Sequence, residues 1–155
     1  MSVARIQWFG AVLGVMGALL LAPLAKAVEV NPPLTIGTLV VADRVTLTVE
    51  LARTPGEKVR GLSGRPGLKP GHGMLFVFDR PQPISIWMKD MRFSLDIVWI
   101  REGRIVHIEK QAPPLPPTGP EQIYTATADL VLEVPAGFTS EQQIRVGDKA
   151  QAVLP

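Results

Sequence analysis

An all-β fold, a single sandwich or barrel-like domain with one short α-helix, is what this sequence predicts. Three observations lead there. Short apolar runs with two-residue alternation recur through most of the chain, glycines and prolines punctuate them, and only one helix start is written anywhere after the first thirty residues. No alternation of strand-like and helix-like segments suggests a parallel α/β sheet.

The elements follow in chain order. Arg5, the apolar run Trp8 to Ala25 and the Ala25-Lys26-Ala27 triplet have the layout of a secretory signal peptide, so residues 1–27 are expected to be removed. An uncleaved membrane anchor is the alternative, since the run approaches the roughly 20 residues a spanning helix needs. Residues 28–34 read as a flexible lead-in and 35–155 as the domain. "LTIGTLVV" and "VTLTVEL" read as strands joined at Asp43-Arg44. In the second, Val45, Leu47, Val49 and Leu51 share one face. Thr54 and Glu57 form a capping box around Pro55, which predicts a helix from Pro55 to Ser63 closed by Gly64. Strands are then expected at "GMLFVF", "ISIWM", "LDIVWI", "RIVHIEK", "IYTATA", "LVLEVP", "IRVG" and "KAQAVL", with a Glu102-Gly103 hairpin. Residues 111–120, "QAPPLPPTGP", read as a stiff surface connection; their PxxP pattern could also dock a polyproline-binding domain.

Composition narrows the function. Without Arg5 and Lys26, basic and acidic residues balance at 14 each, so nothing favours nucleic acid or an anionic membrane as partner. The chain has no cysteine. An exported domain of this kind must rest on a buried core and not on disulfides, which suits a periplasmic or extracellular bacterial protein. No HxH, HExxH or CxxC spacing offers a metal site, and no cofactor is expected. "GLSGR" lacks the final spacing of a serine nucleophile elbow. His72 reads as a turn residue and His107 as a solvated strand residue.

The candidate chemistry lies in charges set among apolar residues. In "LDIVWI" both strand faces are apolar, so Asp96 should be buried; in "LVLEVP" Glu133 should be enclosed as well. Buried carboxylates need partners or protons, and Lys89, Arg60 and Arg65 are the cations expected to meet them. Such a cluster is either a structural staple or a site. As a site it would bind an anion through the cations, or use Asp96 and Glu133 as catalytic acid and base. Trp87 and Trp99 are sugar-stacking candidates or core residues. Asp90 and Arg92 fit a solvated turn.

"RGLSGR", "GMLFVFDRP", "WMKDM", "LDIVWI", "VLEVPAG" and "VGD", in this order, resemble the domain of unknown function 192 family over about residues 45–150. The resemblance implies a compact β-rich domain with a short helix, and no established activity. Its motif positions fall on Arg60, Gly61, Leu62, Arg65, Gly73, Met74 and Phe76. They continue through Trp87, Met88, Lys89, Leu95, Asp96, Leu132, Glu133, Pro135, Gly137, Gly147 and Asp148. Ser63 stands where the family has methionine, and Asp90-Met91 replaces Asn-Thr beside Lys89. The expectation is therefore an exported, monomeric, non-enzymatic module that binds a small ligand, a polysaccharide or an envelope protein. The alternatives are a hydrolase or lyase working through Asp96 and Glu133, and a purely structural envelope protein.

Overall fold

The structure is a computed structural model that describes residues 33–115 and 122–155. The expected signal peptide, most of the lead-in and residues 116–120 of the proline-rich connection lie outside the described residues. Seven strands form one sheet: β1 (Ile36–Val41), β2 (Val45–Ala52), β3 (His72–Trp87), β4 (Leu95–Arg101), β5 (Arg104–Ala112), β6 (Ile123–Pro135) and β7 (Ala150–Val153). Helix α1 (Pro55–Arg60) and helix α2 (Phe138–Glu141) complete the fold. The strand order is β5-β4-β6-β3-β2-β1-β7, antiparallel except for β2 beside β3. The sheet curls until its two edges meet. Arg104 bridges Lys149, and the Ile105 N–H donates to the Asp148 carbonyl at 2.9 Å. The result is a half-barrel, and the mainly-β expectation holds.

Alternation along the strands puts side chains on two faces, and both are covered. Val98, Ile100, Leu132 and Val134 join Leu39, Leu47, Val49 and Leu51 in one core. Ile97, Trp99, Val131, Met74 and Phe76 join Leu62, Met88, Ile84 and Tyr124 in the other. Four sequence segments expected as separate strands are two long ones. "GMLFVF" and "ISIWM" belong to β3, and "IYTATA" and "LVLEVP" to β6, with the pairing shifting register between Val77 and Gln82. Beyond that shift, residues 82–87 pair with β6 and not with β2, so among the described residues one edge of this half of β3 has no strand beside it. "IRVG" is a turn and not a strand, although Ile144 is buried.

The local signals explain the helix and the turns. Thr54 Oγ1 accepts from the Glu57 N–H, while Glu57 Oε2 accepts from the N–H groups of Arg53 (2.8 Å) and Thr54 (2.9 Å). These backbone bonds hold the Glu57 carboxyl below the usual carboxylate range. The helix stops one turn before the expected Gly64. Gly61 caps it at φ 48° and ψ −132°, because the next turn is captured elsewhere. The Gly64 N–H donates to the Asp90 carbonyl and Ser63 Oγ donates to the Lys89 carbonyl. A Cβ on Gly61 would also lie 3.3 Å from the Phe76 ring. Glu102 and Gly103, both at positive φ, make the expected tight hairpin. The other short hairpin turns at Ala42 and Asp43, one residue before the expected pair.

Candidate functional site

Asp96 and Glu133 are both buried, as the alternation requires, at 0 % and 5 % exposure. They do not meet. Asp96 stands opposite Val134, while Glu133 stands opposite Ile97 and Met74, so the two carboxyl groups lie on opposite faces of the sheet. The expected acid–base pair is corrected by strand parity, since neighbouring residues of paired strands alternate faces together.

The expected cation partners are corrected too. Asp96 is held by backbone and hydroxyl donors: the N–H groups of Gln111 (2.9 Å), Gly137 (3.1 Å) and Thr139 (2.9 Å), and Thr139 Oγ1 (2.6 Å). Lys110 and Gln111 bulge out opposite Asp96, with Gln111 at φ 54°, which turns that N–H toward the carboxylate. Asp96 thus ties β4, the β5 bulge and the start of α2 together. It is a structural staple made of charge-assisted hydrogen bonds and not an ion pair. Arg65 forms a two-pronged ion pair with Glu50, at 2.6 and 2.8 Å. Lys89 is exposed, with its Nζ 5.8 Å from the centre of the Trp87 ring. Trp99 is sealed and donates its Nε1–H to the Ile84 carbonyl at 3.1 Å, so it belongs to the core. His107 packs its ring 5.2 Å from that of Trp99, and His72 Nδ1 lies 3.0 Å from the Pro70 carbonyl.

Glu133 is the polar group left over. Desolvation alone acts on its carboxyl and pushes its pKa up to about 8. No described residue donates a hydrogen bond to the Glu133 carboxyl, and the residue borders a concave surface. That surface is a recess of about 60 Å³ lined by Arg60, Gly61, Leu62, Ser63, Met91 and Glu133. Lys58, Val59, Phe76, Ser85, Ile86 and Trp87 complete its lining, and these same six residues also line a larger cleft of about 420 Å³. Phe78, Gln82, Pro83, Ile84 and Ile123 close the larger cleft. Its wall is mostly apolar, and Val59, Trp87 and Ile123 are 68 %, 44 % and 53 % exposed. Lys58 Nζ sits 4.1 Å above the Phe78 ring. The cleft thus combines an apolar wall, a cationic border and one buried carboxyl.

Of the sequence candidates, the structure brings Arg60, Trp87 and Glu133 into this site, while Lys89 lines neither cavity and has its Nζ 5.8 Å from the Trp87 ring centre. The structure sends Arg65 and Asp96 elsewhere. Sequence reasoning missed Lys58, Val59, Phe78, Pro83 and Ile123. One signal could have found part of the wall: Pro81 and Pro83 mark residues 82–87 as an edge strand. Helix α2 was missed because its N-cap is Gly137, with no side chain to signal it, and the acceptor of its first N–H groups, Asp96, is 41 residues away in sequence from Gly137. Among the described residues no three His, Asp or Glu gather as metal ligands, and no helix is long and apolar enough to cross a membrane.

A half-barrel with the second face of its sheet covered, carrying a single buried carboxyl beside an apolar cleft, defines the structural class. The chain belongs to the domain of unknown function 192 family, described as "uncharacterized ACR", whose profile matches residues 38–152. A Sinorhizobium meliloti 1021 protein described as a "putative transcription regulator" is similar in structure, with 30 % identity and a TM-score of 0.71. That match covers 79 % of this chain and 98 % of the other. A protein of unknown function from Novosphingobium aromaticivorans DSM 12444 is similar at 26 % identity and a TM-score of 0.66, covering 84 % of this chain and 89 % of the other. A search of the curated proteins found no match.

Proposed function

We propose that this chain is an exported, non-enzymatic binding module that holds a small amphipathic ligand in the cleft between α1 and the second half of β3. The observation that carries this reading is Glu133, 95 % buried and without a hydrogen-bond partner among the described residues, beside an apolar cleft of about 420 Å³. Binding sites for small molecules are usually mostly apolar clefts of this size with few convergent polar groups. The exposed Trp87 and Ile123 supply contact area, and Glu133 supplies the polar contact.

The acid–base alternative would need Asp96 as the second carboxyl near Glu133. Asp96 is on the other face of the sheet. The hydroxyls at hand are engaged: Ser63 Oγ donates to Lys89, and Ser85 Oγ pairs with Thr125 Oγ1 at 2.8 Å. The regulator description of the Sinorhizobium protein is not carried over, because a DNA-binding face needs a basic excess and this domain's charges balance.

Calorimetric titration with octanol, an uncharged amphiphile, tests the reading. Binding that Trp87→Ala weakens several-fold, at an unchanged melting temperature, supports it. An absence of binding contradicts it. Turnover of cell-wall or sugar substrates that Glu133→Gln abolishes would overturn the non-enzymatic part.

A further inference from the structure

The head group that the recess is built to take can be inferred from its charges, and this step rests on the cleft being a ligand site. The recess beside Glu133 holds one acid and is bordered by cations. Arg60 lines it, and Lys58 lines both it and the apolar cleft. Neither cation has an ion-pair partner among the described residues. An amine entering here would pass two positive charges to reach a carboxyl that desolvation keeps mostly protonated at neutral pH. An anion meets the opposite situation. The cations attract it, and the protonated carboxyl offers an O–H donor to an oxygen that can accept.

We propose that the cleft binds an amphipathic monocarboxylate, with its hydrocarbon chain against Phe78, Ile123 and Trp87 and its carboxylate accepting a hydrogen bond from Glu133. Lys58 and Arg60 provide the attraction. No bond is made or broken; one proton is shared between two carboxyl groups, and Glu133 must carry it for the complex to form.

The other charged groups on the surrounding elements do not supply that proton: on the same face of the sheet, Glu50 of β2 is bound to Arg65, and His107 and Glu109 of β5 lie 3.9 Å apart, all outside the lining of both cavities. On α1, Glu57 is engaged in the capping box. On β4, Asp96 faces the far side of the sheet. The turn after β3 carries Lys89, Asp90 and Arg92, all exposed, and presents Met91 to the recess. Asp79 and Arg80 of β3 are exposed and outside the lining of both cavities. Met74 and Ile97 are the residues paired directly with Glu133.

The test is calorimetry on the purified protein with octanoate, octanol and octylamine from pH 6 to pH 10. The proposal expects octanoate to bind more tightly than octanol at pH 6. Its dissociation constant should then rise up to tenfold per pH unit above about pH 8, while that of octanol changes little. Glu133→Gln keeps a donor and should bind octanoate without that pH dependence. Glu133→Leu should weaken octanoate at least tenfold while octanol still binds, which also shows that the variant has folded. Equal, pH-independent binding of all three probes overturns the head-group assignment and leaves the cleft reading standing. Octylamine binding that tightens with pH overturns it in favour of an ionised Glu133. If none of the probes binds, the cleft reading fails, and this proposal with it.

Discussion

Two buried carboxyl groups that look alike in sequence behave oppositely because of the donors around them. Asp96 accepts four hydrogen bonds and has no need of a cation. Asp96→Asn puts a donor where an acceptor is needed, and should cost about 2–4 kcal/mol, read from the denaturant midpoint. Glu133 accepts none from the described residues, and its pKa rises from the ordinary 4.5 to about 8. Between those two values the folded protein keeps a proton that the unfolded chain has already lost. Stability is therefore fully present below pH 4.5, declines as pH rises through the window, and levels off above pH 8. The loss is about 5 kcal/mol across the window. Glu133→Gln should flatten this decline and be more stable than the parent at pH 9, with little difference at pH 4. Urea unfolding at those two pH values checks it; parallel curves for the two proteins would contradict it. Burial of both residues was legible from alternation alone. Their partners were not, because hydrogen-bond donors on a bulge and on a distant helix start leave no local signature.

At the scale of elements, α1 was the most legible, since its capping box lies within four consecutive residues and survives unchanged in the fold. Its end was misplaced by the 88–91 turn, which takes the hydrogen bonds of Ser63 and Gly64. Gly61→Ala forces an alanine into φ 48° and ψ −132° and against Phe76. It should lower stability by about 1–3 kcal/mol, measured by thermal unfolding. Gly73 has a different constraint. A Cβ there would lie 2.8 Å from the Glu133 carbonyl, so Gly73→Ala must push β3 and β6 apart at the recess. The expected outcome is a lower melting temperature together with a shifted Glu133 titration. The strand lengths of β3 and β6 were read short because a register shift interrupts the alternation that defines a strand in sequence.

For the whole molecule, a mainly-β domain with a short helix was readable because strands such as β2 alternate strictly and β4 is apolar on both faces. The order of strands was not readable, and the site depends on it. The placement of β6 between β3 and β4 brings Glu133 into one recess with α1, and the cleft lies where residues 82–87 have no second neighbouring strand among the described residues. Arg60, Trp87 and Glu133 come from three separate segments that no spacing rule connects. The ligand site turns on Glu133, an acid with no hydrogen-bond partner among the described residues, in the recess beside this cleft. Its side-chain carboxyl resonance, followed by carbon-13 NMR from pH 3 to pH 10, tests that directly. A midpoint near 8 that moves higher when octanoate is added is the predicted result. A midpoint near 4.5, unmoved by octanoate, would contradict it.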